Sequence, residues 1–324
     1  MNKIRRIPYR TRDHGDFKTE WGLHQGCSEW WYVTGYLYDE DHRLYSYQYT
    51  LITVRYGLLQ PYIQMLALTD ISQQKHYYTQ AASLSGKRAL VLSNTLQWDD
   101  TAGVMKGPFS MKVSATHADF AYDLNLDYGK GAFWHCDNGV LQMGLQDVRQ
   151  TTIYYSYTNM PTTGTLALGG KTLKVSGKSW FDKQGGTYSP LKRGTHWEWF
   201  SLRFFDDEEM MLFSFPQSHY QDGTFIPRQG PARRLNQYVL TPTAFVTANH
   251  NRFSAGWRLD VPGVKDEVYT ITPLIEGQIN LAYFEQLAGI YNRAGEQVGL
   301  CFVELLPGVL NEKIDTRNLL RSFG

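Results

Sequence analysis

From Phe120 to Tyr128 the chain alternates without a break. Phe120, Tyr122, Leu124, Leu126 and Tyr128 are large and mostly apolar, and Ala121, Asp123, Asn125 and Asp127 between them are small or polar. Only an extended strand puts every second side chain on one face, so this stretch is expected to be a strand with one dry side and one wet side. Met111, Val113 and Ala115 repeat the pattern just before it, against Lys112, Ser114 and Thr116. Strand-like runs at 29–38 and 44–54 flank Asp39-Glu40-Asp41-His42-Arg43, which reads as a hairpin tip. Further runs lie at 152–158, 196–205, 210–215, 257–261, 267–274 and 298–305, with Asp206-Asp207-Glu208-Glu209 as a second polar tip. The one helix expected is short and terminal, at 311–322. Many strands with turn signals at short intervals define an all-β chain of barrels or sandwiches.

At 324 residues the chain is long enough for two ordinary domains. Pro161-Thr162-Thr163-Gly164 and Gly169-Gly170-Lys171 interrupt the pattern, which places the expected boundary between 1–170 and 171–324. Aromatic residues make up 15% of the chain, with Tyr at 22 copies, and such side chains favour strands. A net charge of +1 offers no broad attraction to nucleic acid or anionic membrane. Three widely spaced cysteines, Cys27, Cys136 and Cys301, form no disulfide framework and suit a reducing interior. No apolar stretch follows the basic N-terminus, so neither a signal peptide nor a membrane span is expected, and the localisation read from this is cytoplasmic.

The sequence carries no GxSxG elbow, HExxH, paired CxxC or P-loop. His135-Cys136-Asp137 offers three ligand types, but neighbours on a strand point to opposite faces and cannot all converge. No metal and no cofactor is therefore expected. What stands out are acids set among indoles: Glu29-Trp30-Trp31-Tyr32 early on, then Trp180-Phe181-Asp182 and His196-Trp197-Glu198-Trp199-Phe200. On a strand Glu29, Trp31 and Val33 share one face, and so do Trp197 and Trp199. A carboxyl enclosed by apolar walls holds its proton, because burial disfavours its charge. Such an acid can protonate a carbon–carbon double bond while π faces stabilise the cation that forms.

Four segments, taken in order, resemble a known family. Leu23-His24-Gln25-Gly26-Cys27-Ser28-Glu29-Trp30-Trp31-Tyr32-Val33-Thr34-Gly35 is similar to the opening motif of the lipocalin-like family that includes carotenoid 1,2-hydratase and the AttH-type proteins. Tyr154-Tyr155-Ser156 with Gly177-Lys178-Ser179-Trp180-Phe181-Asp182 resembles its middle motif, and Trp197-Glu198-Trp199-Phe200 with Met210-Met211-Leu212-Phe213 resembles the next strand pair. Tyr283-Phe284-Glu285 and Gly299-Leu300-Cys301-Phe302-Val303-Glu304-Leu305 resemble the closing motifs. The chain departs from the family at Gln184-Gly185-Gly186, where a second tryptophan is usual, and at Phe284 and Phe302, which stand for a common Trp and Tyr.

The resemblance implies two consecutive lipocalin-like antiparallel β-barrel domains, and a small hydrophobic ligand or substrate. It also implies chemistry without a cofactor: acid-catalysed hydration of a C=C bond in an isoprenoid, or pocket-directed cyclisation of a polyketide by kinship with fungal Diels-Alderases. On this basis Asp182 is the expected proton donor, with His196 or Tyr155 orienting water. Glu29, Trp31, Trp180, Trp197, Trp199, Tyr283 and Glu285 are expected to line the ligand site. A non-catalytic carrier of a hydrophobic molecule is the alternative, since small barrels can enclose one ligand.

Overall fold

A computed structural model of the chain describes residues 6–55, 59–84, 88–144, 149–188, 197–248, 251–280 and 283–306. The expected terminal helix at 311–322 lies outside them, and no α-helix occurs among the described residues. No helix there is long and apolar enough to cross a membrane. The strands in chain order are β1 (Ser28–Asp39), β2 (Leu44–Thr53), β3 (Tyr62–Asp70), β4 (Lys75–Ser83), β5 (Ala89–Val91), β6 (Thr95–Trp98), β7 (Ala102–Lys106), β8 (Ser110–Thr116), β9 (Phe120–Asp127), β10 (Ala132–Trp134), β11 (Val140–Gln142), β12 (Thr151–Leu168) and β13 (Lys171–Gly186). They continue with β14 (Glu198–Phe204), β15 (Glu209–Phe215), β16 (Tyr220–Ile226), β17 (Arg233–Arg234), β18 (Val239–Ala248), β19 (Asn251–Asp260), β20 (Val268–Pro273), β21 (Ile279–Asn280), β22 (Tyr283–Tyr291) and β23 (Gln297–Leu305).

These form two antiparallel sheets of barrel or half-barrel type. The first runs β4-β3-β2-β1-β13-β12-β9-β8-β7-β6-β5, and the second runs β17-β16-β15-β14-β23-β22-β20-β19-β18. In each, the first strand pairs on one side with its hairpin neighbour and on the other with the last strand of the sheet. The alternation read from the sequence sets the dry side: in β9 Phe120, Tyr122, Leu124 and Leu126 are buried and the residues between them are not. The described residues up to Phe133 with 149–188 form one compact unit, and 134–144 with those from 197 onward form another.

The boundary expected at 170/171 falls at a turn instead. Gly169 and Gly170, both at positive φ, join β12 to β13, where Leu168 faces Lys171. Two consecutive left-handed positions are what the tight turn of a hairpin requires, and glycine reaches them without strain. β13 then pairs with β1 along its length, so 171–186 belongs to the first sheet. Pro161 and Gly164 likewise do not end a strand. The register of β12 shifts between Tyr157 and Met160, and Pro161 follows that irregularity, where the ladder is already disrupted and a missing N–H is tolerated.

In the second unit Phe200, Leu202, Leu212, Phe253, Trp257, Ile271, Val303 and Leu305 belong to one buried core. Glu198 shares that face and accepts bonds from Ser254 Oγ at 2.5 Å and Trp257 Nε1 at 2.9 Å. Burial raises its pKa and these two bonds offset only part of the effect.

Candidate functional site

Residues directly opposite each other in an antiparallel pair project to the same side. The registers of β1, β12 and β13 therefore sort the candidate residues onto two faces. Glu29, Trp31 and Val33 lie with Gly185, Lys183 and Phe181, and with Ile153, Tyr155 and Tyr157. Trp30, Tyr32 and Thr34 lie on the other face with Gln184, Asp182 and Trp180, and with Tyr154 and Ser156. Asp182 and Tyr155, expected to act together, are thus on opposite sides of one sheet. One step of register separates them, because Tyr155 faces Lys183 whereas Ser156 faces Asp182. Tyr155 is fully buried and its hydroxyl donates to the Phe17 carbonyl at 3.1 Å. His196 lies outside the described residues.

The face of Glu29 holds a buried charge network. Lys183 Nζ reaches Glu29 Oε2 at 2.5 Å, and the His24 backbone N–H donates to Glu29 Oε1 at 2.5 Å. His24 bridges two acids, with Nδ1 3.1 Å from Glu29 Oε2 and Nε2 2.7 Å from Glu20 Oε2. Gly15 N–H closes the chain onto Glu20 Oε1 at 2.7 Å. The Lys183 ammonium also sits 4.4 Å from the Trp31 ring centre, and Trp31 donates its indole N–H to the Trp21 carbonyl at 3.0 Å. Glu29 and Trp31 were expected to meet ligand. Here they tie the segment 15–25 down against the sheet, and Glu29 is neutralised by Lys183 and His24. Gly185 makes room for this, since a Cβ there would stand 2.4 Å from Glu29 Cγ. Gly185 is therefore part of the network.

Burial opposes the charge on His24, but its bonds to Glu20 and Glu29 outweigh that and raise its pKa. Burial opposes the charge on Glu29 as well, yet Lys183 and His24 hold it down to about 2. The two shifts act at opposite ends of the pH scale. Stabilisation from Glu29 is complete above the ordinary glutamate pKa and is lost as pH falls toward 2. Stabilisation from His24 is complete below about 6.5, the free-imidazole value, and is lost as pH rises through its raised pKa. The expected outcome is a maximum in the urea midpoint of the first unit at mildly acidic pH. In His24→Gln the fall on the alkaline side of that maximum should flatten.

The face of Asp182 is different in kind. Asp182 is 3% exposed, and its Oδ1 accepts both the Ser156 hydroxyl and the Trp180 indole N–H, the latter at 2.6 Å. Tyr32 stands directly opposite on β1. One position further along that face of β1 is Thr34, fully buried, whose Oγ1 has no hydrogen-bond partner. A buried polar atom without a partner costs about 1–3 kcal/mol and calls for an explanation such as water or ligand. An out-of-water carboxyl, an indole, a phenol ring and a vacant hydroxyl thus share one buried surface.

The second sheet carries the remaining expected residues. Trp199 faces Glu304, and Glu304 faces Glu285, so all three share a side with Trp197. Trp197 Nε1 donates to Glu304 Oε1 at 2.6 Å. Burial pushes the Glu304 carboxyl up to about 7, although its bonds to Trp197 and Glu285 work against the shift. Tyr283 begins β22, and its side chain lies outside the described residues. The sequence reading missed Glu304, and it missed His24, Glu20 and Lys183 as partners of Glu29. Two signals were available: the spacing of Glu20 and His24, and a glutamate in each of the two closing motifs.

Fold and site define an all-β protein with two sheets, each of which sets an acid against indole donors. The chain belongs to the AttH-like family, whose pattern matches residues 8–308. An AttH-type protein of Nitrosomonas europaea is similar over 94% of this chain and 100% of its own, at 20% identity and a TM-score of 0.83. Kievitone hydratase of Nectria haematococca matches 87% of this chain and 89% of its own, at 15% identity and a TM-score of 0.69. The structure of CghA with Sch210972 matches 95% and 96%, at 8% identity and a TM-score of 0.52. No curated protein sequence matches the chain.

Proposed function

We propose that the protein is a cofactor-independent enzyme acting on a small, apolar, unsaturated metabolite of isoprenoid or polyketide type. Each sheet would serve as a lipocalin-like barrel wall. The reaction is hydration of a C=C bond with Asp182 as acid, or cyclisation directed by the shape of the same surface. The observation that carries this reading is Asp182 itself: buried, bonded to Ser156 and Trp180, and beside the vacant Thr34 hydroxyl. In hydration the carboxyl gives its proton to one alkene carbon, the Trp180 and Tyr32 rings face the cation, and water adds to the other carbon. The water returns a proton to the carboxylate, so the acid is regenerated. The similarity to kievitone hydratase lends support at the level of reaction class.

The test is incubation with kievitone and with an acyclic carotenoid in H2(18)O, followed by mass spectrometry. Asp182→Asn should cut turnover by about 10²- to 10⁴-fold, the usual worth of a positioned acid, while the unfolding midpoint stays in place. Unaltered turnover in that variant would rule out acid catalysis through Asp182 and leave shape-directed cyclisation. An apolar molecule retained through purification and never converted would support the carrier instead.

A further inference from the structure

The second sheet repeats the parts found around Asp182. On its last strand an acid, Glu304, takes an indole N–H, as Asp182 does on β13. From the neighbouring strand a polar partner faces it, Glu285 where the first sheet has Ser156, and the two glutamates are hydrogen-bonded. A bond between two carboxyls requires that one of them keep its proton, because two carboxylates are both acceptors only. On the first strand, two residues beyond the one that faces the acid, stands a fully buried hydroxyl without a partner. In the first sheet this is Thr34 beyond Tyr32, and in the second it is Ser201 beyond Trp199. Ser201 faces Phe302, the residue adjacent to Glu304 on the same side of β23. Glu285 is buried and Glu304 is only partly exposed.

We propose that Glu304, Glu285, Trp197 and Ser201 form a second ligand site, in which Glu285 donates to Glu304 and the oxygen of an uncharged, apolar organic molecule is held by hydrogen bonds from Glu304's own carboxyl proton and the Ser201 hydroxyl. The site discriminates by charge: an anion would meet the carboxyl pair, and a cation would take its proton's place. Other charged groups on this side among the described residues include Arg203 and Glu209, opposite each other on β14 and β15, Asp222, which Arg234 holds in a two-pronged ion pair, and Arg258 and Asp260 on β19. The proposal does not depend on chemistry at Asp182, and either can fail alone.

Prodan, an uncharged naphthalene ketone whose emission reports hydrogen bonding and polarity, is the probe. Its affinity for the full chain should fall about tenfold between pH 6 and pH 8, the worth of one hydrogen bond, as Glu304 gives up its own proton. Glu304→Gln keeps a donor that cannot ionise, so binding at pH 6 should persist and the dependence on pH should vanish. Ser201→Ala should weaken binding about five- to tenfold at both pH values without lowering the unfolding midpoint, since the Ser201 hydroxyl makes no bond to lose. Asp182→Asn should leave Prodan binding as in the wild type. Absence of binding, a pH dependence that survives in Glu304→Gln, unchanged affinity in Ser201→Ala, or loss of binding in Asp182→Asn would each overturn the assignment. If Glu304→Gln does not fold, Ser201→Ala and the wild-type pH profile decide the matter.

Discussion

Lys183→Met should destabilise the first unit by about 3–5 kcal/mol, read as a lower urea midpoint at unchanged slope. The substitution keeps the length and apolar stem of the side chain and removes only the ammonium. Glu29 is fully buried and depends on Lys183 at 2.5 Å and on His24 for neutrality. Without Lys183 the carboxylate is a buried charge with a single cationic neighbour, and that neighbour is already shared with Glu20. Adding Glu29→Gln to Lys183→Met removes the stranded charge and should restore a large part of the loss, whereas Glu29→Gln alone should cost less than Lys183→Met. Equal and additive losses would mean that the pair is not coupled, against the geometry.

Trp257→Ala is expected to cost the second unit about 3–5 kcal/mol, by emptying a fully buried indole position in its core. Phe200 meets the Trp257 ring edge-on with centroids 5.2 Å apart, so an aromatic pair is lost as well. Trp257→Phe isolates the polar part. It keeps most of the apolar contact but withdraws the N–H from Glu198, leaving that carboxyl with the Ser254 bond, at a cost of about 1–3 kcal/mol. Because Glu198 already has a raised pKa, the loss in Trp257→Phe should be smaller at acidic pH, where the carboxyl is neutral and less dependent on donors. A loss independent of pH would show that Glu198 is protonated throughout, and the bond to Trp257 merely local.

Much of the fold was legible because strand parity is a local property. The alternation at Phe120–Asp127 appears as a strand with one buried side, and the polar tips after Asp39 and Phe204 are hairpin turns. The division of the chain was less legible. Gly169-Gly170 is equally suited to a domain boundary and to a tight turn, and only the pairing of β13 with β1, far away in sequence, settles that it is a turn. The candidate site was legible as residue types along the strands and not in its partnerships. Asp182, Trp180, Trp197 and Glu285 were recognisable, and Glu29 was recognisable as an acid among indoles. That Glu29 meets Lys183, that Asp182 and Tyr155 part company, and that Glu304 meets Glu285 depend on a register that one residue's slip would reverse.

The sequence by itself determined that this chain is all-β, that most of its strand aromatics are buried, and that it belongs with the AttH-like proteins. Tertiary structure alone decided which acids are neutralised by a cation and which meet only uncharged donors or another carboxyl. The cause is physical. Burial pattern depends on the period of each strand, and a carboxyl's charge state depends on whatever stands within a few ångströms of it. For Glu29 that is an ammonium and an imidazole, for Asp182 a hydroxyl and an indole, and for Glu304 an indole and another carboxyl.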